Sequence, residues 1–127
     1  MAFSERIALL EAATRDGPFV LGGSSYGGLA AAWLAAAHPD RFVGLVLCAP
    51  ALHWSEPPVV DPAALSAPPG LPTVILHGLR DDVVPIDVSR RYRDRSGPHV
   101  ELLEVDDDHR LHDTLDQIVA AVSRLSR

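Results

Sequence analysis

The sequence has 127 residues, the size of one ordinary domain, and its 17 acidic side chains outnumber 11 basic ones, all arginine. A net charge of −6 with 6% aromatics excludes the clustered basic face that nucleic acid binding requires. One cysteine excludes a disulfide framework and a cysteine-rich zinc cage, and the longest fully apolar run, residues 29–37, falls far short of a membrane span. Glu5 and Arg6 come early, where a signal segment would carry an apolar core. With 47% hydrophobic residues the chain has material for a small core. The expectation is a single compact domain over residues 1–127, cytoplasmic, with no nucleic acid or membrane partner.

Ser4 is expected to cap a helix running to about Thr14, with Ile7, Leu10 and Ala13 on one face and Gly17-Pro18 as its stop. Residues 19–22 then read as a buried strand. Residues 26–38 are nearly all alanine, leucine and tryptophan, which predicts a helix enclosed by protein, with His38 at its C-cap before Pro39. Residues 42–48 form a second buried strand, closing on Cys48 as a small buried hydrophobe. Six of the 11 prolines fall between Pro57 and Pro72, so residues 49–71 read as a stiff covering segment with one helical turn near 63–65. Residues 73–76 are a third strand. Asp87 is placed as the cap of a helix reaching Arg95, whose Arg90, Arg91, Arg93 and Arg95 form a solvated face. Residues 100–105 are a fourth strand, and Leu111, Leu115, Ile118, Val119, Val122 and Leu125 form the inner stripe of a last helix. Apolar strands alternating with helices predict an α/β domain: a parallel sheet of about four strands with helices on both faces.

Functional groups in parallel sheets gather at the carboxyl ends of the strands. The first strand ends in Gly23-Ser24-Ser25-Tyr26-Gly27, a Gly-x-Ser-x-Gly pattern with a strand before it and a helix after it. Four of the nine glycines lie within residues 22–28, where side chains two positions either side of the serine are expected to collide with neighbouring backbone. Such a turn sets the Ser25 hydroxyl at the positive end of the helix, with the Tyr26 backbone N–H facing a developing oxyanion. The alternatives are a glycine-rich packing turn and a phosphate loop. The latter lacks its Gly-Lys-Ser/Thr or Gly-x-Gly-x-x-Gly pattern here.

The third strand leads into His77-Gly78-Leu79-Arg80-Asp81-Asp82-Val83-Val84-Pro85 and the fourth into Asp106-Asp107-Asp108-His109. With these motifs in this order, the chain from about Phe19 onward resembles the α/β-hydrolase superfamily, a minimal serine hydrolase core. The resemblance implies Ser25 as nucleophile, His109 as general base and Asp81 as the acid orienting it, with Asp82 as its rival. It implies a serine hydrolase, foremost a carboxylesterase on small esters working through an acyl-enzyme, with thioesterase or amidase chemistry as variants. It also implies that Ser24, His53 and Trp54 line the substrate site. No cofactor and no metal are expected: Asp106, Asp107, Asp108, His112 and Asp113 read as a solvated acidic turn, and His77 as structural.

Family members usually have about eight strands, with the elbow after the fifth; here one helix precedes it. The strand and loop that supply the second oxyanion N–H in relatives have no counterpart. Residues 19–22 are therefore expected to form an apolar sheet edge that pairs with a second copy, giving a homo-oligomer. The other reading is a non-catalytic domain that keeps the hydrolase fold and binds a partner.

Overall fold

A computed structural model describes residues 2–126. Helix α1 (Phe3–Ala13) leads into strand β1 (Phe19–Ser24), followed by α2 (Tyr26–Ala37) and β2 (Phe42–Cys48). After the proline-rich segment come β3 (Thr73–Gly78), α3 (Ile86–Ser96), β4 (Val100–Val105) and α4 (Leu115–Leu125). All neighbouring strands pair in parallel, in the order β1-β2-β3-β4. The expected α/β class, with helices on both faces, is what the chain adopts.

Period-two alternation divides the strand side chains between two cores. Leu21, Leu45, Leu47 and Ile75 point to one face, where they meet α1, α2 and α3 through Phe3, Ile7, Leu29, Leu34, Val88 and Tyr92. Val46, Val74, Leu76 and Val105 point to the other and pack against α4 through Ala121, Ile118 and Leu125. Gly44 permits that approach, since a Cβ there would stand 2.8 Å from Leu125 Cβ. The proline-rich segment carries one 3-10 turn, Pro62–Ala64, and lays Ala51, Leu52, Val59 and Ala67 on the first core.

Local details depart from the sequence reading at the helix ends. Ser4 lies inside α1, whose N-cap is Ala2 with no side-chain cap, and the face it buries is Phe3 and Ile7 while Ala13 is exposed. Thr14 closes that helix by donating its Oγ1 hydrogen to Leu10 O, three residues before Gly17. Pro85 holds the N-cap position of α3, so Asp87 falls in its first turn and binds Arg90. Arg90 also forks onto Glu104, and Arg95 donates to Leu65 O and Pro62 O, so the arginine row ties α3 to β4 and to the covering segment.

The largest difference is in α4. Its inner residues are Ile118, Ala121 and Leu125, whereas Leu115 and Val119 are 62% and 59% exposed and Val122 is also exposed. Helix α4 rests on β2 and β1 with Gln117, Ala120 and Arg124 turned toward β4, where they line a groove with Glu101 and Leu103. The Leu115–Val119–Val122 stripe is thereby left on the opposite flank, toward the unpaired side of β1. Two apolar stripes on one helix look like one wide stripe in the sequence, and only one of them meets the sheet.

Candidate active site

Strand β1 hands over to α2 without a spacer, and the residue between them absorbs the whole change of direction. Ser25 has φ 55° and ψ −114°, a left-handed backbone that a non-glycine residue adopts only under constraint. The constraint is visible in its backbone bonds: Ser25 N–H donates to Cys48 O at 2.9 Å, and Ser25 O accepts from Ala51 N–H at 3.0 Å and from Leu29 N–H at 3.1 Å. A Cβ on Gly23 would stand 2.1 Å from Gly27 O, and one on Gly28 would stand 2.8 Å from Pro50 Cβ. At Gly27 a Cβ would meet nothing within 4 Å, so the crowding on the helix side falls on Gly28. Tyr26 is the first residue of α2, and its N–H has no acceptor within the helix.

The other two groups arrive on loops that clasp each other. Leu79 N–H donates to Val105 O at 2.8 Å and Arg80 N–H to Asp107 O at 3.0 Å, which extends the β3–β4 pairing beyond the strand ends. Gly78 makes the contact feasible, because a Cβ there would stand 2.3 Å from Asp107 O. Asp107 pins the second loop: its Oδ2 accepts from Thr114 Oγ1 at 2.7 Å and Asp113 N–H at 2.9 Å, and its Oδ1 from Asp108 N–H at 2.8 Å. The bond from Thr114, with those from Asp108 and Asp113, holds its carboxyl below the usual range despite burial.

These loops bring His109 between Ser25 and Asp81. Its Nε2 is 3.1 Å from Ser25 Oγ and its Nδ1 is 2.8 Å from Asp81 Oδ2. The Asp81 side chain is fully buried, and its Oδ1 accepts from the N–H groups of Val83 at 2.8 Å and Val84 at 2.7 Å. Burial pushes that carboxyl up, but the His109 bond and the two N–H groups outweigh it and keep it below the ordinary range, ionised at neutral pH. An ionised acceptor at Nδ1 requires Nδ1 to carry the hydrogen, which leaves Nε2 as a lone pair facing the Ser25 hydroxyl. Asp82 is exposed beside the turn and takes no part in the chain of bonds. Asp106 binds Arg80 of the β3–α3 loop and Asp108 caps Arg110 N–H, so both are engaged in bonds away from the His109 ring.

Of the residues expected to line the substrate site, Trp54 lies edge-on to Tyr26 with ring centroids 5.8 Å apart. Tyr26 also borders a cavity of about 170 Å³ with Phe3, Arg6 and Glu56. His53 instead lines a separate cavity with Leu52, Pro62, Ala63, Val88, Arg91 and Arg95. Ser24 ends β1 in an exposed position opposite Cys48. The part of Phe3 and Arg6 was not foreseen, because nothing in the sequence links the start of α1 to the elbow. Burial pushes the Cys48 thiol up to about 11, which keeps it protonated and unreactive. His38 sits at the α2 C-cap and turns its ring to Glu11 of α1, 2.8 Å away. His112 lies exposed in a 3-10 turn, and no group of three potential metal ligands is gathered among the described residues. No helix among them is long and apolar enough to cross a membrane.

The sequence profile of the alpha/beta hydrolase fold family matches residues 1–71, more than half of the chain. The chain belongs to that family. Solved structures similar to this alpha/beta hydrolase fold protein include a hydrolase of the superfamily from Xanthomonas campestris pv. campestris. The two are 28% identical with a TM-score of 0.74, over 97% of this chain and 65% of that one. A monoacylglycerol lipase from Paleococcus ferrophilus is 16% identical with a TM-score of 0.77, over 99% of this chain and 76% of that one. A structure of the metagenome-derived lipolytic enzymes LipS and LipT is 17% identical with a TM-score of 0.77, over 98% of this chain and 74% of that one. This hydrolase-fold chain thus spans 65% of the length of the first of them. No curated protein matches its sequence significantly.

Proposed function

We propose that this chain is a serine hydrolase acting on small carboxylic esters through an acyl-enzyme. The observation that carries the reading is His109, bonded through Nδ1 to a buried carboxylate and through Nε2 to the hydroxyl of a strained serine. A serine hydroxyl is a weak nucleophile until an imidazole takes its proton. As Ser25 Oγ bonds to the ester carbonyl carbon, its proton passes to His109 Nε2, and Asp81 stabilises the imidazolium that forms. The carbonyl oxygen takes the negative charge and faces the Tyr26 N–H at the start of α2. The carbon–oxygen bond to the alcohol then breaks, and the alcohol leaves with the proton from His109. Water repeats the sequence on the acyl-Ser25 ester and releases the acid.

The elbow supplies one oxyanion donor, and losing one of two such donors costs about 10²–10³ in rate. The proposal therefore extends to assembly. A second copy pairs along the open edge of β1 and brings a backbone N–H toward Ser25.

The test is labelling with a fluorophosphonate and hydrolysis of p-nitrophenyl acetate, run beside Ser25→Ala. Labelling and turnover that vanish together in the variant support the reading. An unlabelled parent chain with intact fold would favour the non-catalytic binding domain. Matched esters, thioesters and amides then rank the leaving groups.

A further inference from the structure

The His77-Gly78 pair that ends β3 contributes more than a turn. His77 is completely buried, and every polar atom of its ring is engaged. Nδ1 is 2.7 Å from Ser89 Oγ of α3, and Nε2 is 2.8 Å from Val84 O and 3.3 Å from Asp81 Oδ2. The carbonyl acceptor at Nε2 requires that nitrogen to carry the hydrogen, which points to Val84 O with the Asp81 carboxylate beside it. Nδ1 is then a lone pair, and Ser89 donates its hydroxyl hydrogen to it. Burial lowers the tendency of the ring to take a second proton, more than the Val84 bond and Asp81 raise it.

We propose that His77 is a positioning residue for the hydrolytic site: its Nε2–H, donated to Val84 O, holds the turn that cradles Asp81, while Ser89 fixes its tautomer. The proposal rests on the triad reading of Ser25, His109 and Asp81. The Asp81 Oδ2 that accepts from His109 Nδ1 also lies 3.3 Å from His77 Nε2, a longer and purely electrostatic contact beside the bond to Val84 O. The Asp81 Oδ1 is occupied by Val83 and Val84. Val84 in turn accepts from His77, so the ring secures the backbone that cradles the carboxylate. A carboxylate held by that turn presents Nδ1 of His109 with one acceptor in one place, which is what the tautomer at Nε2 depends on. The charged groups around His77 are Asp81 and His109 in the site, Arg90 on α3, and Glu104, its register partner on β4. Arg90 and Glu104 are bonded to each other, so Asp81 is the negative group left facing the ring.

Three substitutions separate this role from packing. His77→Leu removes both ring nitrogens, His77→Gln keeps an N–H at the position of Nε2, and Ser89→Ala frees the tautomer. On p-nitrophenyl acetate, His77→Leu is expected to lower kcat about tenfold with KM nearly unchanged, the coupling usual within one hydrogen-bond network. Its pH–rate profile should move to lower pH, because a less firmly placed Asp81 stabilises the His109 imidazolium less. His77→Gln should recover most of both effects, and Ser89→Ala should show the same shift at smaller size. Proton NMR of the chain without substrate reads the Asp81–His109 bond directly, as a downfield Nδ1–H signal. That signal should weaken in His77→Leu and return in His77→Gln, whether or not the chain turns over any ester. An unchanged signal and pH profile in a folded His77→Leu chain would overturn the assignment. If that variant does not fold, an unchanged signal and pH profile in Ser89→Ala overturns it instead. Failure of the parent chain to hydrolyse esters, with the NMR pattern as expected, would count against the esterase reading alone.

Discussion

At the scale of single residues, the site depends on a few positions where an extra atom or a lost charge has no room for compensation. Gly23 and Gly27 flank Ser25 symmetrically in sequence but differ in space. Gly23 has the Gly27 carbonyl 2.1 Å from where its Cβ would be, and Gly27 has open surroundings. Gly23→Ala is therefore expected to abolish fluorophosphonate labelling and lower the melting temperature. Gly27→Ala should keep labelling and gain up to about 1 kcal/mol from helix propensity, readable in a thermal melt. Asp81→Asn should lower kcat by about 10⁴-fold by inverting the His109 tautomer, while Asp82→Asn should leave turnover near that of the parent. A greater loss in Asp82→Asn would reassign the orienting acid.

At the scale of elements, the Ser25–His109–Asp81 geometry depends on two loops that fold against each other beyond the strand ends. The β3–α3 loop carries Asp81, the β4–α4 loop carries His109, and Gly78 sits where they touch. Both loops are held by carboxylates, Asp81 and Asp107, whose folded pKa values lie below the usual range. A lowered folded value means that each carboxylate contributes stability above its unfolded pKa, roughly 4, and that this is lost as pH falls through the folded value. The melting temperature should accordingly hold from neutrality to about pH 5 and decline below about pH 4. Asp107→Asn should start with a lower melting temperature and decline less steeply on acidification. An equally steep decline in that variant would show that the acid-sensitive anchor lies elsewhere.

At the scale of the whole molecule, β1 ends the sheet with one side unpaired, and the exposed Leu115–Val119–Val122 stripe of α4 faces the same flank. Open strand edges recruit further strands, and exposed apolar helix faces recruit cover. Strand β1, Phe-Val-Leu-Gly-Gly-Ser, carries no charge, so pairing it with its own copy sets no like charges opposite each other. A symmetric pair would double four strands to eight. Sedimentation at micromolar concentration should give a dimer, and Val119→Asp should shift it to monomer with a drop in esterase rate. A monomeric parent with full activity would show that the chain needs no partner at this edge.

Class, strand order of appearance and which strand ends carry the candidate site residues were legible in the sequence, because each rests on local patterning. Apolar runs mark β2 and β3 as strands buried on both faces, and β1 and β4 carry shorter apolar stretches at the sheet edges. The Ser25, Asp81 and His109 motifs follow β1, β3 and β4. The structure was needed wherever two segments distant in sequence compete for one place. Ser4 and Asp87 are good capping residues in the abstract, but the chain enters α1 and α3 two residues earlier than they would allow. Leu115 and Val119 have helical spacing suited to a core, yet the tilt of α4 on Gly44 turns Ile118 and Ala121 inward instead. Asp81 and Asp82 are the same residue type side by side. Only the fold of the turn over Val83 and Val84 buries one of them against His77 and His109 and leaves the other in water. Patterning along the chain thus decides what each segment is, and packing between segments decides which of two similar side chains faces the site.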